Sequence, residues 1–181
     1  MKTLLFFLMA CTAAFAQEFK ATPTGLVAKK TPAQAYVVAR FDSIPADTLY
    51  ANAKRYLLSK YSGIKNPIVG DESGKLLRFE TGDQVMSTLA GKGGETKYLG
   101  AATGTLEFKD GKVKISYGNI ALKSVAGETV MELPLTSFWN KKGKIVEANA
   151  KNITETHFNA STRLLLDAMG KSNDKASATD W

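Results

Sequence analysis

The clearest alternation of oily and polar positions runs through residues 103–122, TGTLEFKDGKVKISYGNIAL, on either side of Asp110-Gly111. Asp-Gly between two alternating runs signals a two-residue hairpin loop, because a type I′ turn needs positive φ at both central positions. Counting outward from that loop, Lys109 faces Lys112, Phe108 faces Val113, Leu106 faces Ile115 and Gly104 faces Tyr117. On the opposite side Glu107 lies across from Lys114 and Thr105 across from Ser116. One register thus gathers every hydrophobe on one face and pairs opposite charges on the other, which defines a half-buried antiparallel sheet.

The rest of the chain divides around this hairpin. Residues 35–41 (AYVVARF) alternate loosely and are rich in β-formers, so they predict a strand. Asp42-Ser43-Ile44-Pro45 breaks it, with Asp42 or Ser43 as expected helix caps. Over residues 46–61, Leu49, Tyr50, Ala53, Tyr56, Leu57 and Tyr61 recur at three and four, the spacing of an amphipathic helix; Leu58 falls on its polar side. Short strands are expected at 67–71 and 76–81, joined by the turn Glu72-Ser73-Gly74-Lys75. Residues 82–97 hold Gly91, Gly93 and Gly94 and read as the longest flexible loop; they match no phosphate-cradling motif. A last strand is expected at 129–133, ended by Pro134. A final helix over 147–169 turns Ile153, His157, Ser161, Leu164, Leu165 and Ala168 inward and stops at Gly170.

The two ends carry different signals. Residues 1–16 have Lys2, an apolar run and Ala14-Phe15-Ala16 before Gln17, the pattern of a secretory signal peptide. Leu8-Met9-Ala10-Cys11 also resembles a lipobox that would acylate Cys11, but cleavage after Ala16 suits the run better. Export to the periplasm, the outer membrane or the medium is the expectation. Residues 17–34 show no periodicity and read as a flexible leader, residues 35–170 as one α+β domain, and residues 171–181 as a disordered tail. Cys11 is the single cysteine, so a chain cleaved after Ala16 has no disulfide and no thiol chemistry. The net charge of +7 becomes +6 without Lys2, a surplus compatible with acidic glycans or anionic lipid. Export argues against a nucleic-acid partner.

Catalytic patterns are sparse. The lone His157 sits on a helical apolar side, where a histidine is usually packing. Glu80 and Asp83 are the carboxylate pair that glycoside hydrolysis would need, although their separation is not set by sequence. Phe138-Trp139 followed by Lys141, Lys142 and Lys144 offers a stacking and anion site, or an aromatic anchor beside a solvated loop. Asn152 and Asn159 head N-glycosylation sequons inside the expected helix, and Asp42-Ser43-Ile44 and Asp47-Thr48-Leu49 resemble a bacterial O-glycosylation motif. No cofactor or metal set stands out.

Taken with Leu49-Tyr50, Glu72-Ser73-Gly74-Lys75, Lys109-Asp110-Gly111-Lys112 and Asn119-Ile120, the chain over 35–122 resembles the secreted bacterial domain of unknown function 4468. Tyr56 stands where such domains often have Trp. The resemblance implies a TATA-box-binding-protein-like (TBP-like) fold: an antiparallel curved sheet of about five to six strands with two helices on one face, in β-α-β(4)-α order. It brings no site residues. The leading expectation is therefore a non-catalytic envelope or secreted module. It would bind an envelope protein or glycan through the helix-free sheet face, with Thr105, Glu107, Lys109, Lys112, Lys114 and Ser116 as its surface. The alternatives are a hydrolase of envelope glycans and a polyanion-binding protein.

Overall fold

The computed structural model describes residues 18–91 and 94–171. Its core is a seven-stranded, wholly antiparallel sheet. A two-stranded hairpin, β1 (Phe19–Thr22) and β2 (Gly25–Ala28), comes first. There follow β3 (Val37–Arg40), α1 (Ala46–Lys60), β4 (Ile68–Glu72), β5 (Leu76–Glu80), β6 (Gln84–Gly91), β7 (Gly94–Lys109), β8 (Lys112–Ala126) and β9 (Thr129–Glu132). A short 3-10 turn (Leu135–Phe138) leads to α2 (Ala148–Met169). The sheet order is β3-β8-β7-β5-β4, with β6 added beside the first half of β7 and β9 beside the second half of β8.

The β7–β8 register agrees with the count from the turn. Phe108 pairs with Val113, Leu106 with Ile115, Gly104 with Tyr117, Glu107 with Lys114 and Thr105 with Ser116. Gly111 has φ +69, the left-handed backbone that such a loop demands. The inward set Leu106, Phe108, Val113, Ile115 and Tyr117 joins Leu77 and Phe79 of β5 and Val37 and Ala39 of β3 in one core. Leu49, Ala53 and Leu57 of α1 and Phe158, Leu165 and Met169 of α2 complete that core, so both helices cover the same face. Leu58 stays 46% exposed on the outer side of α1. Gly104 is required for space: a Cβ there would sit 2.2 Å from Cζ of Phe79, whose ring lies across the strand.

Four expectations need correction. Residues 18–34 are not a loose leader: Phe19, Ala21, Leu26 and Ala28 alternate around a Pro23-Thr24-Gly25 reversal and are all buried. Helix α2 then serves β1 as a substitute sheet neighbour. Asn159 accepts from the Phe19 amide through Oδ1 at 2.7 Å and donates to its carbonyl through Nδ2 at 3.0 Å. Glu155 accepts from the Ala21 amide at 2.7 Å while Lys151 holds the same carboxylate at 2.7 Å. Each strand is only four residues long, too short for its alternation to stand out.

Second, the glycine-rich stretch 82–97 holds strands on both sides of residues 92–93 rather than one long loop. Gln84–Gly91 pairs with β7, which raises the sheet above the five to six strands expected. A bulge between Val85 and Ser87 interrupts the alternation that would have signalled a strand. Third, neither Asp42 nor Ser43 caps α1. Its first amide, that of Ala46, donates to Oδ1 of Asp110 at 2.9 Å, so the hairpin tip caps the helix from 64 residues away. Fourth, α2 is rotated from the expected stripe. Ala150, Lys151, Thr154, Phe158, Thr162, Leu165, Leu166 and Met169 face inward, whereas Leu164 is 52% exposed. The buried hydroxyls find partners, Thr154 donating to the Ala150 carbonyl at 2.8 Å and Thr162 sharing a 3.1 Å bond with Tyr117. The expected signal peptide, Cys11 and the tail beyond Lys171 lie outside the described residues.

Candidate functional site: the helix-free sheet face

With both helices on one side, the alternate residues of the same strands form an open face. Register orders it in cross-strand rows. Arg78 of β5, Thr105 of β7 and Ser116 of β8 share one row. Leu76, Glu107, Lys114 and Val38 share the next. Lys109, Lys112 and Arg40 share the row at the hairpin tip. Thr105, Lys114 and Ser116 are half-buried by their neighbours, while Glu107, Lys109, Lys112 and Arg40 are exposed.

The six residues expected from sequence therefore occupy one continuous surface. Lys114 Nζ bonds Glu107 Oε1 at 2.8 Å and lies 4.7 Å from the centre of the Tyr36 ring. That cation is held from two sides, by a carboxylate and by the negative face of an aromatic ring. Tyr36, Arg40 and Arg78 were not among the expected site residues. Arg40 was recoverable, because it alternates with the apolar Val37 and Ala39 in its own strand. Arg78 required the β5–β7 pairing, which local sequence does not reveal.

Other candidate chemistry disperses. A cavity of about 290 Å³ lies where β8 bulges, lined by Pro23, Thr24, Tyr117, Asn119, Pro134 and Leu135 among others, without a carboxylate or histidine in its wall. Asn119 takes a left-handed backbone, φ +49, at that bulge and donates to Thr103 Oγ1 at 3.2 Å. Asp83 is engaged by Lys123 at 3.5 Å. His157 is partly buried with its ring perpendicular to Phe158 at 5.5 Å. Burial, and then the Lys60 cation, hold its pKa below 6.5. Phe138 is fully buried and Trp139 half-buried beside it, with Lys141, Lys142 and Lys144 in solvent. Asn159, one of the sequon asparagines, is committed to Phe19 at both ends of its amide.

Tyr50, Lys54 and Asp71 form a polar clamp between α1 and β4. The Tyr50 hydroxyl donates to Asp71, and Lys54 donates to the other carboxylate oxygen at 2.6 Å. These bonds, Lys54 first and Tyr50 second, hold the Asp71 carboxyl below its ordinary value. Tyr61 is pushed up to about 12 by burial. Among the described residues no group of His, Cys, Asp and Glu could hold a metal ion, and no helix is long and apolar enough to cross a membrane.

No family model and no curated protein matches the chain. Two crystal structures share its fold. A DUF4468 family protein from Bacteroides ovatus ATCC 8483 superposes with a TM-score of 0.54 at 17% identity, over 77% of this chain and 89% of that one. A TBP-like protein from Parabacteroides distasonis ATCC 8503 superposes with a TM-score of 0.53 at 9% identity, over 76% of this chain and 92% of that one. Both agree with the resemblance carried by the four short motifs, and the chain has the α+β, TBP-like fold, an antiparallel sheet under two helices.

Proposed function

We propose that this chain is an exported binding module of the cell envelope that takes its partner on the helix-free sheet face. The observation that carries the reading is the asymmetry of the sheet. One face lies under two helices and the β1–β2 hairpin, whereas no described element covers Thr105, Glu107, Lys112, Lys114 and Ser116. An antiparallel sheet with one solvated face is a ready platform, and its side chains sit on a rigid backbone rather than on loops. The secretory pattern of residues 1–16 supports export.

The test uses the full chain and an isolated envelope fraction of the cells that produce it. Thr105→Trp with Ser116→Trp fills the centre of the open face without changing charge. Thr156→Trp does the same on the exposed side of α2. Envelope binding should be lost in the first variant and kept in the second. Retention by the sheet-face variant, or loss in the α2 variant alone, overturns the reading.

A further inference from the structure

The row at the hairpin tip holds three cations side by side. Lys109 and Lys112 stand opposite each other across the β7–β8 turn, and Arg40, the last residue of β3, stands opposite Lys112. All three are exposed. Cβ atoms so paired are about 5 Å apart, a spacing at which like charges oppose folding.

In the neighbouring row charge is compensated, since Glu107 holds Lys114 at 2.8 Å. At the tip it is not. No described acidic side chain forms an ion pair with Arg40, Lys109 or Lys112. Asp110 is committed to the Ala46 amide at 2.9 Å, and Glu72 to Lys75 at 2.8 Å. The backbone under the row is braced: the Phe41 amide donates to the Gly111 carbonyl at 2.7 Å and the Gly111 amide to the Ile44 carbonyl at 2.9 Å. Three cations without an ion-pair partner among the described residues thus stand side by side on a braced backbone, an arrangement that a multiply charged anion would stabilise.

We infer that this row is the seat of an acidic glycan. A sulfate, phosphate or carboxylate group of the glycan lies over Arg40, Lys112 and Lys109, and its neighbouring sugars run along the face toward Ser116 and Thr105. Those hydroxyls lie about 13 Å further along the strands, the length of a few sugar units. A glycan suits the face better than a lipid surface does. The exposed Val85 of β6 and Val130 of β9, which could enter a bilayer, pair with the far half of the β7–β8 hairpin, away from the tip. The inference rests on the sheet-face reading above and names the class of ligand for it.

Heparin, a sulfated glycan, is the probe. The full chain is compared with Arg40→Gln/Lys109→Gln/Lys112→Gln and with Lys141→Gln/Lys142→Gln/Lys144→Gln, an equal charge change in the exposed loop before α2. At about 0.1 M salt, affinity should fall roughly tenfold or more in the first and much less in the second. Lys109→Arg/Lys112→Arg should retain binding, and the row variant should melt no lower than the parent because a repulsion has been removed. Equal losses in both triple variants, no binding by the parent chain, or parent binding to phosphatidylglycerol vesicles but not to heparin overturns the inference. Those results leave the sheet-face reading standing if Thr105→Trp/Ser116→Trp still abolishes envelope binding. If that variant keeps envelope binding, the sheet-face reading itself has failed.

Discussion

Replacing Gly104 by Ala tests the packing on which the whole sheet depends. The new Cβ would lie 2.2 Å from Cζ, 2.4 Å from Cε1 and 2.9 Å from Cε2 of Phe79, a side chain that is fully buried. Overpacking a core costs about 1–3 kcal/mol, and a collision this deep against an immobile ring belongs at the upper end, ~3 kcal/mol. One effect pulls the other way. Glycine inside a strand is itself unfavourable by about 0.5–1 kcal/mol, which Ala recovers. The net expectation is therefore a loss of about 2 kcal/mol, or roughly 4–8 °C in melting temperature for a domain of this size. The companion change is Phe79→Leu, because none of the three colliding atoms exists in Leu. In that background Gly104→Ala should be neutral or mildly stabilising, giving a coupling of about 2 kcal/mol in a double-mutant cycle followed by urea unfolding. An equal cost of Gly104→Ala in both backgrounds would refute the proposed contact between Phe79 and Gly104.

The capping of α1 from a distance makes its own prediction. Asp110→Ala should cost about 1 kcal/mol and speed amide exchange in the first turn of α1, whereas Asp42→Ala and Ser43→Ala should each stay within about 0.5 kcal/mol. Asn159→Ala leaves both polar groups of the Phe19 backbone without their partner, so a loss of about 2 kcal/mol is expected, with faster amide exchange in β1–β2 than in β7–β8. His157 carries the pH dependence just below pH 6.5. Its folded pKa lies below the ordinary 6.5, so its contribution is complete above pH 6.5 and declines as pH falls through that value toward the folded one. An NMR titration of the imidazole should give a midpoint below 6.5, and His157→Gln should flatten the stability profile between pH 6.5 and that midpoint.

What sequence revealed follows from how far each signal reaches. The β7–β8 hairpin was legible because its turn, alternation and charge pairing lie within twenty residues and agree with one another. The six expected sheet-face residues followed from that register alone. Helix α1 was likewise legible from its spacing, down to the outward Leu58. The misses share a long-range cause. The cap on α1 comes from Asp110, and β1 is completed by Asn159 and Glu155, partners 140 and 134 residues distant. No local pattern announces such partners. The stripe on α2 went wrong because its inward face carries Lys151, Thr154 and Thr162, each hydrogen-bonded, while Leu164 faces outward. Hydrophobicity ranks those residues in the opposite order. Strand β6 was hidden by its bulge and by the glycines at its end, Gly91 closing β6 and Gly94, with φ +112, opening β7.

The most direct measurement is backbone and side-chain NMR of the full chain, titrated with a soluble fraction of envelope glycans. Chemical-shift changes concentrated on Arg40, Thr105, Lys112, Lys114 and Ser116, with α1 and α2 silent, are the result this account predicts. Changes concentrated on the helices instead, with those strands unperturbed, would contradict it.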